Sequence, residues 1–220
     1  MTTLLIAPHP DDETYGCGAT LARRALDGHE VVVVVVSVAD VLRPNGTAKC
    51  TWQQRMEELS AACGVLEIPP AEVLFSGHEN ALDKLSTREL VTRLDKVMSR
   101  DFSEVLFPGP SHHQDHMLVH RACWASLRAR PGRRAERVTA MYELPYGDWP
   151  IGQPAGSPHY VNVAATIDRK EAALREYASQ LQPAPYPLSV EAARTLAKKR
   201  GTEVGLDYAE RLELVRSIEW

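Results

Sequence analysis

The sequence predicts an α/β protein built on a doubly wound, mostly parallel sheet with helices on both faces. Three observations carry this. Val31 to Val38 is almost continuously valine, the pattern of a strand covered on both faces, where the alternation of a half-exposed strand disappears. Short β-prone runs alternate with stretches of helical spacing, which implies parallel strands joined by right-handed crossovers. The length, 220 residues, and a composition of 44% hydrophobic and 25% charged residues suit one soluble α/β domain, expected to span 1–220.

Thr3 to Ala7 is apolar and β-prone and stops at Pro8 and Pro10, because proline removes ladder donors. From Thr14 to Leu26, Tyr15, Ala19, Leu21, Ala22 and Leu26 fall at near-helical spacing, with Gly28 as the stop. After the valine strand, Ala39 to Thr51 shows no periodicity and predicts a loop long enough to cover a site. Trp52 to Cys63 predicts a helix, Val73 to Phe75 a brief strand, and Thr87 to Met98 another helix. Val105 to Phe107 is the fourth strand, stopped by Pro108, and HHQDH then opens a helix. Val138 to Leu144 and Tyr160 to Ala164 predict strands around a Pro- and Gly-bearing loop, and Arg169 to Gln180 predicts a helix. A proline-rich turn at Gln182 to Leu188, a basic helix through Lys199 and an amphipathic segment from Tyr208 to Ile218 complete the chain.

Lys plus Arg is 25 and Asp plus Glu is 29, a net charge of −4, so nothing drives general binding to nucleic acid or acidic membranes. The longest apolar run is far below the roughly 20 residues of a membrane helix, and no signal-peptide pattern opens the chain, so the expected compartment is the cytoplasm. The four cysteines are scattered without a C-x-x-C pair and are expected to be free thiols. A homo-oligomer stands among the expected assemblies.

The chemistry concentrates in two clusters. The first is His9, Pro10, Asp11, Asp12 and Glu13; the second is His112, His113, Gln114, Asp115, His116 and His120. A helix cap accounts for Asp12 or Thr14 but requires no His beside three consecutive acids, which repel one another unless a cation neutralises them. A solvated helix start accounts for the second cluster alone. Doubly wound sheets, however, bind ligands where strand order reverses, commonly between strands one and four, and the two clusters follow those strands.

His9, Asp12 and His116 offer two imidazoles and a carboxylate with room for water, the pattern of a catalytic metal site. Asp11 is then the general base for a bound water of lowered pKa. His113 is positioned to stabilise an oxyanion and protonate a leaving amine, with Asp115 holding its tautomer. A rival ligand set, His112, His116 and His120, shares a helix face but leaves His9 and Asp12 without a role.

The strings APHPDDETYGCGATLARRALDGHEV and HHQDH resemble the PIG-L or LmbE-like family of metal-dependent de-N-acetylases. The resemblance continues through TWQQRMEELSAACGV, ENALDKLSTRELV, MYELP, SPHYVNV with KEAALREYASQ, and RGTEVGLDYAERLELVR, nearly the whole chain. It implies a Rossmann-like fold, metal ligands at His9, Asp12 and His116, a base at Asp11 and an electrostatic or acid His at His113 oriented by Asp115. It also implies zinc, or iron(II), as the cofactor. An N-acylated amino sugar or glycoside is the implied substrate, and a non-sugar amide the alternative. Arg55 and the Glu79, Asn80 and Asp83 group match stretches that lie near the pocket, where Arg55 and Asp83 suit hydroxyl or phosphate groups. Ser37, Val38, Ala39 and Asp40 depart from the Thr-Asp-Gly-like ending frequent in the family.

Other residues carry weaker signals. Tyr146, Trp149 and Pro150 could stack on a sugar ring, and Arg128, Arg130, Arg133, Arg134 and Arg137 form a basic run that reads best as a solvated loop. Two other chemistries fit parts of the pattern. His9-x-Asp11 with His116 also spells a non-haem iron(II) site, but that site ordinarily sits in an antiparallel barrel. A non-catalytic metal-binding module is expected to lack Asp11 or His113, and both are present.

Overall fold

In the computed structural model, residues 1–77, 82–129, 131, 135–145 and 157–219 are described, the Asp83 side chain excepted. The elements run β1 (Thr2–Ala7), α1 (Asp12–Leu26), β2 (Glu30–Val38), β3 (Val41–Leu42), β4 (Ala48–Cys50), α2 (Trp52–Val65) and β5 (Glu72–Ser76). A one-turn 3-10 helix (Leu82–Lys84), α3 (Thr87–Val97), β6 (Glu104–Pro108), α4 (Gln114–Ser126) and β7 (Val138–Tyr142) follow. The last elements are β8 (Ser157–Asn162), α5 (Ile167–Glu176), α6 (Val190–Thr202) and β9 (Ala209–Ser217).

Seven strands form one sheet in the order β5-β2-β1-β6-β7-β9-β8. The first five are parallel, and β9 runs antiparallel between β7 and β8. Strand order reverses between β1 and β6, paired with Leu4 opposite Val105, as the sequence predicts. Each strand feeds both faces. Leu5, Ala7, Val33 and Val35 join the apolar layer containing α1, α2 and α5, whereas Leu4, Ile6, Val34 and Val36 join the layer under α3 and α4. Burial on both sides is why the β2 valines lack alternation.

Three departures have physical causes. The predicted loop at 39–51 contains the β3–β4 hairpin. Its turn forms because Gly46 takes φ 80° and Asn45 accepts from the Thr47 amide and hydroxyl, local chemistry that carries no periodicity. The strand near Tyr160 begins three residues earlier and includes Pro158, tolerated because β8 is the sheet edge. The helix expected over 169–180 ends at Glu176, with Tyr177 at its C-cap. Helices α2, α3 and α6 begin at Thr51, Ser86 and Ser189, whose hydroxyls accept from the amides of Gln54, Glu89 and Ala192.

Helix α1 is buried continuously from Asp12 to Ala22, so its flank must be satisfied by other elements. Gly16 lies against Tyr142, where an added Cβ would come within 2.3 Å of the ring. Tyr142 donates to the Ile6 carbonyl at 2.9 Å, which makes this strand-end tyrosine a packing residue. The buried pair Lys170–Glu210, 2.6 Å apart, bonds the helix directly: Glu210 accepts from the Ala19 and Thr20 amides, and Lys170 donates to the Tyr15 carbonyl.

Breaking that pair by Lys170→Met leaves a buried carboxylate uncompensated and is expected to cost about 3–5 kcal/mol. Arg175→Ala, which removes the more exposed pair with Glu171, is expected to cost under about 1 kcal/mol. Urea melts of the two variants check the contrast, and equal losses would contradict it.

Candidate active site

The site stands at the carboxyl ends of β1 and β6. Past Ala7, the Pro8 carbonyl still accepts from the Ser37 amide, so the chain leaves the sheet at His9. The helix begins only three residues later, at Asp12, and Asp11 makes the corner with φ 98° and ψ −32°. A non-glycine residue there carries roughly 1–2 kcal/mol of steric cost. Its carbonyl accepts from the Thr14 and Tyr15 amides and its own amide donates to Glu13. After β6, the turn through Ser111 delivers His113 to the N-cap of α4, with the Ser111 hydroxyl accepting from the His113 amide.

Asp12 is the meeting point. Its Oδ2 accepts from the His9 amide at 3.0 Å and lies 3.4 Å from His9 Nδ1 and 3.3 Å from His116 Nε2. Donor atoms of His9, Asp12 and His116 all lie within 4.8 Å of one another. A tetrahedral ion with bonds of about 2.0–2.1 Å has donors about 3.3–3.4 Å apart, so the Asp12 separations fit a zinc-sized ion. Two imidazoles and one carboxylate are also the right chemistry for it. Asp12 and His116 are 1% and 2% exposed.

The other predicted residues gather around this group. Asp11 is next to Asp12 and 7% exposed. Burial and the negative Asp12 push its carboxyl well above the ordinary range. Burial also opposes the charge on Asp12, but His116 and His9 outweigh it and hold that carboxyl well below the range. His113 is at the exposed rim, its ring 4.6 Å from that of His116 and 5.8 Å from that of His9.

Asp115 has a partner that the sequence does not announce. It hydrogen-bonds His9, Nε2 to Oδ2 at 3.0 Å. The Asp115 carboxylate thus reaches the β1 loop while still acting through space on the His113 ring. That bond holds the Asp115 carboxyl below its ordinary value. An ionised carboxylate only accepts, so His9 Nε2 carries a proton in this bond, while Nδ1 faces Asp12.

Arg55, from α2, is 6% exposed and donates to the Pro10 carbonyl at 3.2 Å. The rival histidine set does not assemble: His120 Nδ1 donates to the Pro108 carbonyl, and its Nε2 accepts from Trp124, while His112 faces solvent. In the donor group the acid is Asp12, not Asp11, so the H-x-D iron spelling does not describe it. Glu79, Asn80, the Asp83 side chain, Arg130, Arg133, Arg134, Tyr146, Trp149 and Pro150 lie outside the described residues. Arg128 pairs with Asp95, consistent with a solvated basic run.

Sequence reasoning missed what stands behind the loop. Glu13 is wholly buried and accepts the Tyr177 hydroxyl, a partner 164 residues away that no motif announces.

With the geometry established, comparison places the protein in a class. The PIG-L family, described as GlcNAc-PI de-N-acetylase, matches residues 4–127, and the chain belongs to it. A 1D-myo-inositol 2-acetamido-2-deoxy-alpha-D-glucopyranoside deacetylase of Gordonia bronchialis is 27% identical, the match covering 83% of this chain and 85% of that protein. The 2'-N-acetylparomamine deacetylase of Streptomyces fradiae is 28% identical, over 75% of this chain and 62% of that protein. Among solved structures, the 4-carboxy-2-hydroxymuconate hydratase GalB of Pseudomonas putida shares the fold. Its TM-score is 0.74 at 20% identity, covering 100% of this chain and 98% of that one.

If His9 ligates a metal, its bond to Asp115 predicts that Asp115→Asn weakens metal binding by about 10- to 100-fold, as loss of an outer carboxylate behind a ligating His does. Competition with a chelating dye measures this, and unchanged affinity would remove Asp115 from that role.

Proposed function

We propose that this chain hydrolyses the N-acyl bond of an N-acetylglucosamine-type amino sugar, or a related small-molecule amide, releasing a carboxylate and a free amine. One observation carries the reading: the His9, Asp12 and His116 donors meet beside Asp11, at the switch point of a PIG-L family chain. The relatives named above are deacetylases of acetylated amino sugars by their descriptions, which supports that substrate class.

His9, Asp12 and His116 would hold the metal, and zinc is the ion we propose. When bound, zinc lowers the pKa of water and polarises the acyl carbonyl. Asp11, whose carboxyl burial and Asp12 hold well above the ordinary range, takes the proton from the attacking water. His113, at the rim, faces the developing negative oxygen and returns a proton to the departing nitrogen as the C–N bond breaks. Asp115 fixes His9, and thereby the ligand set. Arg55 and Asp83 are the proposed contacts for sugar hydroxyls; one bond from Arg55 to Pro10 does not exhaust a guanidinium with five donors.

The four cysteines are free and buried, which suits a reducing compartment, and we propose the cytoplasm. Among the described residues no helix is long and apolar enough to cross a membrane.

The test combines metal analysis with amine release from a panel of N-acetylated glucosamines, glycosides and aminoglycoside intermediates. About one zinc per chain with chelator-sensitive release is the expected result. Metal without release would move the substrate outside acetylated amino sugars, and a chain unable to hold metal would overturn the mechanism. Asp11→Asn is expected to keep the metal and lose about 100- to 10,000-fold in kcat, whereas His116→Ala is expected to lose the metal.

A further inference from the structure

The residue assigned as base is held in a backbone conformation its own side chain disfavours. An ordinary corner of this shape takes glycine; here an aspartate takes it, at φ 98°. Helices distant in sequence grip the loop on either side of it. From α2, Arg55 bonds the Pro10 carbonyl, one residue before. Beyond the end of α5, the Tyr177 hydroxyl donates to Glu13 Oε1, while Glu13 Oε2 accepts the N–H of Asp11 itself at 3.0 Å.

The Thr14 hydroxyl also donates to Glu13 Oε1, so three donors converge on one carboxylate that is 0% exposed. Tyr177 is 1% exposed. The two grips belong to one frame, because the Ser179 amide and hydroxyl bond the Glu58 carboxylate of α2 at 2.9 and 2.7 Å. A helix start needs no buried acid reaching back to the corner residue, since serine or threonine caps it at far lower desolvation cost.

We propose that Glu13 and Tyr177 are positioning residues: together they lock Asp11 in its left-handed conformation and so fix its carboxylate beside the His9, Asp12 and His116 donors. The proposal rests on the reading of Asp11 as proton acceptor. Neither Glu13 nor Tyr177 touches substrate; they act through the Asp11 backbone. The same geometry explains why the lock is a carboxylate: one oxygen holds the corner amide while the other is held by the two hydroxyls.

The test uses the full-length, zinc-loaded protein and the variants Tyr177→Phe, Glu13→Gln and Glu13→Leu. Three quantities are read: kcat and KM on the best amide of the panel, zinc affinity, and hydrogen–deuterium exchange of the segment around Asp11. Tyr177→Phe is expected to lower kcat about tenfold with KM and zinc affinity within about twofold, as displacement of a positioned base does. The Asp11 amide is expected to exchange about tenfold faster or more. Glu13→Gln keeps an oxygen for the Asp11 amide and is expected to retain more kcat than Glu13→Leu.

Wild-type kcat and exchange in Tyr177→Phe would overturn the proposal. So would a loss in which zinc affinity falls together with kcat, because the pair would then be scaffold for the whole site. If Glu13→Leu does not fold, Tyr177→Phe, which removes a single oxygen, carries the test. Full turnover in Asp11→Asn would sink the base assignment instead, and the exchange measurement, which needs no substrate, still reads the lock separately.

Discussion

The open end of this sheet is organised by a single constraint: two consecutive carboxylates, Asp11 and Asp12, are both buried. In a low-dielectric loop two such groups repel strongly, and neither has water to absorb its charge. The structure separates them by partner. Asp12 is given His9 and His116 and stays ionised; Asp11 is left with the weaker help of Arg55 and is pushed toward its neutral form. The proposed division of labour between a ligand and a base rests on that difference in surroundings.

That separation requires the sheet. His9 and His116 are more than 100 residues apart, and they meet because β1 and β6 are adjacent parallel strands whose connections leave in opposite directions. Parallel pairing aligns both carboxyl ends at one edge, so the loop after β1 and the N-terminus of α4 open into the same crevice. The valine-rich layers under this edge serve the site by rigidity: β1 and β2 are buried on both faces, which leaves little freedom to the loop that departs at His9.

Much of this was legible in the sequence, and the residues that were not share a cause. Strands buried on both faces announce themselves by composition, and β1, β2 and β6 lie within two residues of expectation. His9, Asp12 and His116 stand out because a metal site demands residue types that structure alone seldom sets side by side, and the fold brings their donor atoms within 4.8 Å of one another. The bond of Asp115 to His9 is a contact between the start of α4 and a loop more than 100 residues away, which the spacing within HHQDH does not announce. Tyr177 was invisible: it meets Glu13 only after α5 packs on α2, and a tyrosine ending a helix looks like packing in any sequence. Local chemistry encodes elements and ligands; partners supplied by tertiary packing are not written as patterns.

The fold does not by itself choose the reaction. A structure described as a hydratase shares the fold over 98% of its own chain, and one fold hosts many chemistries, so the reaction must be argued from the site. Amide hydrolysis is set apart by its leaving group, because an amine departs from a tetrahedral carbon only when its nitrogen receives a proton. A site for that reaction needs a proton donor on the leaving-group side as well as a base on the water side. Asp11 lies in the buried floor and His113 at the exposed rim, with the His9, Asp12 and His116 donors adjoining both. On the proposed roles, a base in the buried floor and an imidazole at the exposed rim of one metal-sized donor set would meet those two needs.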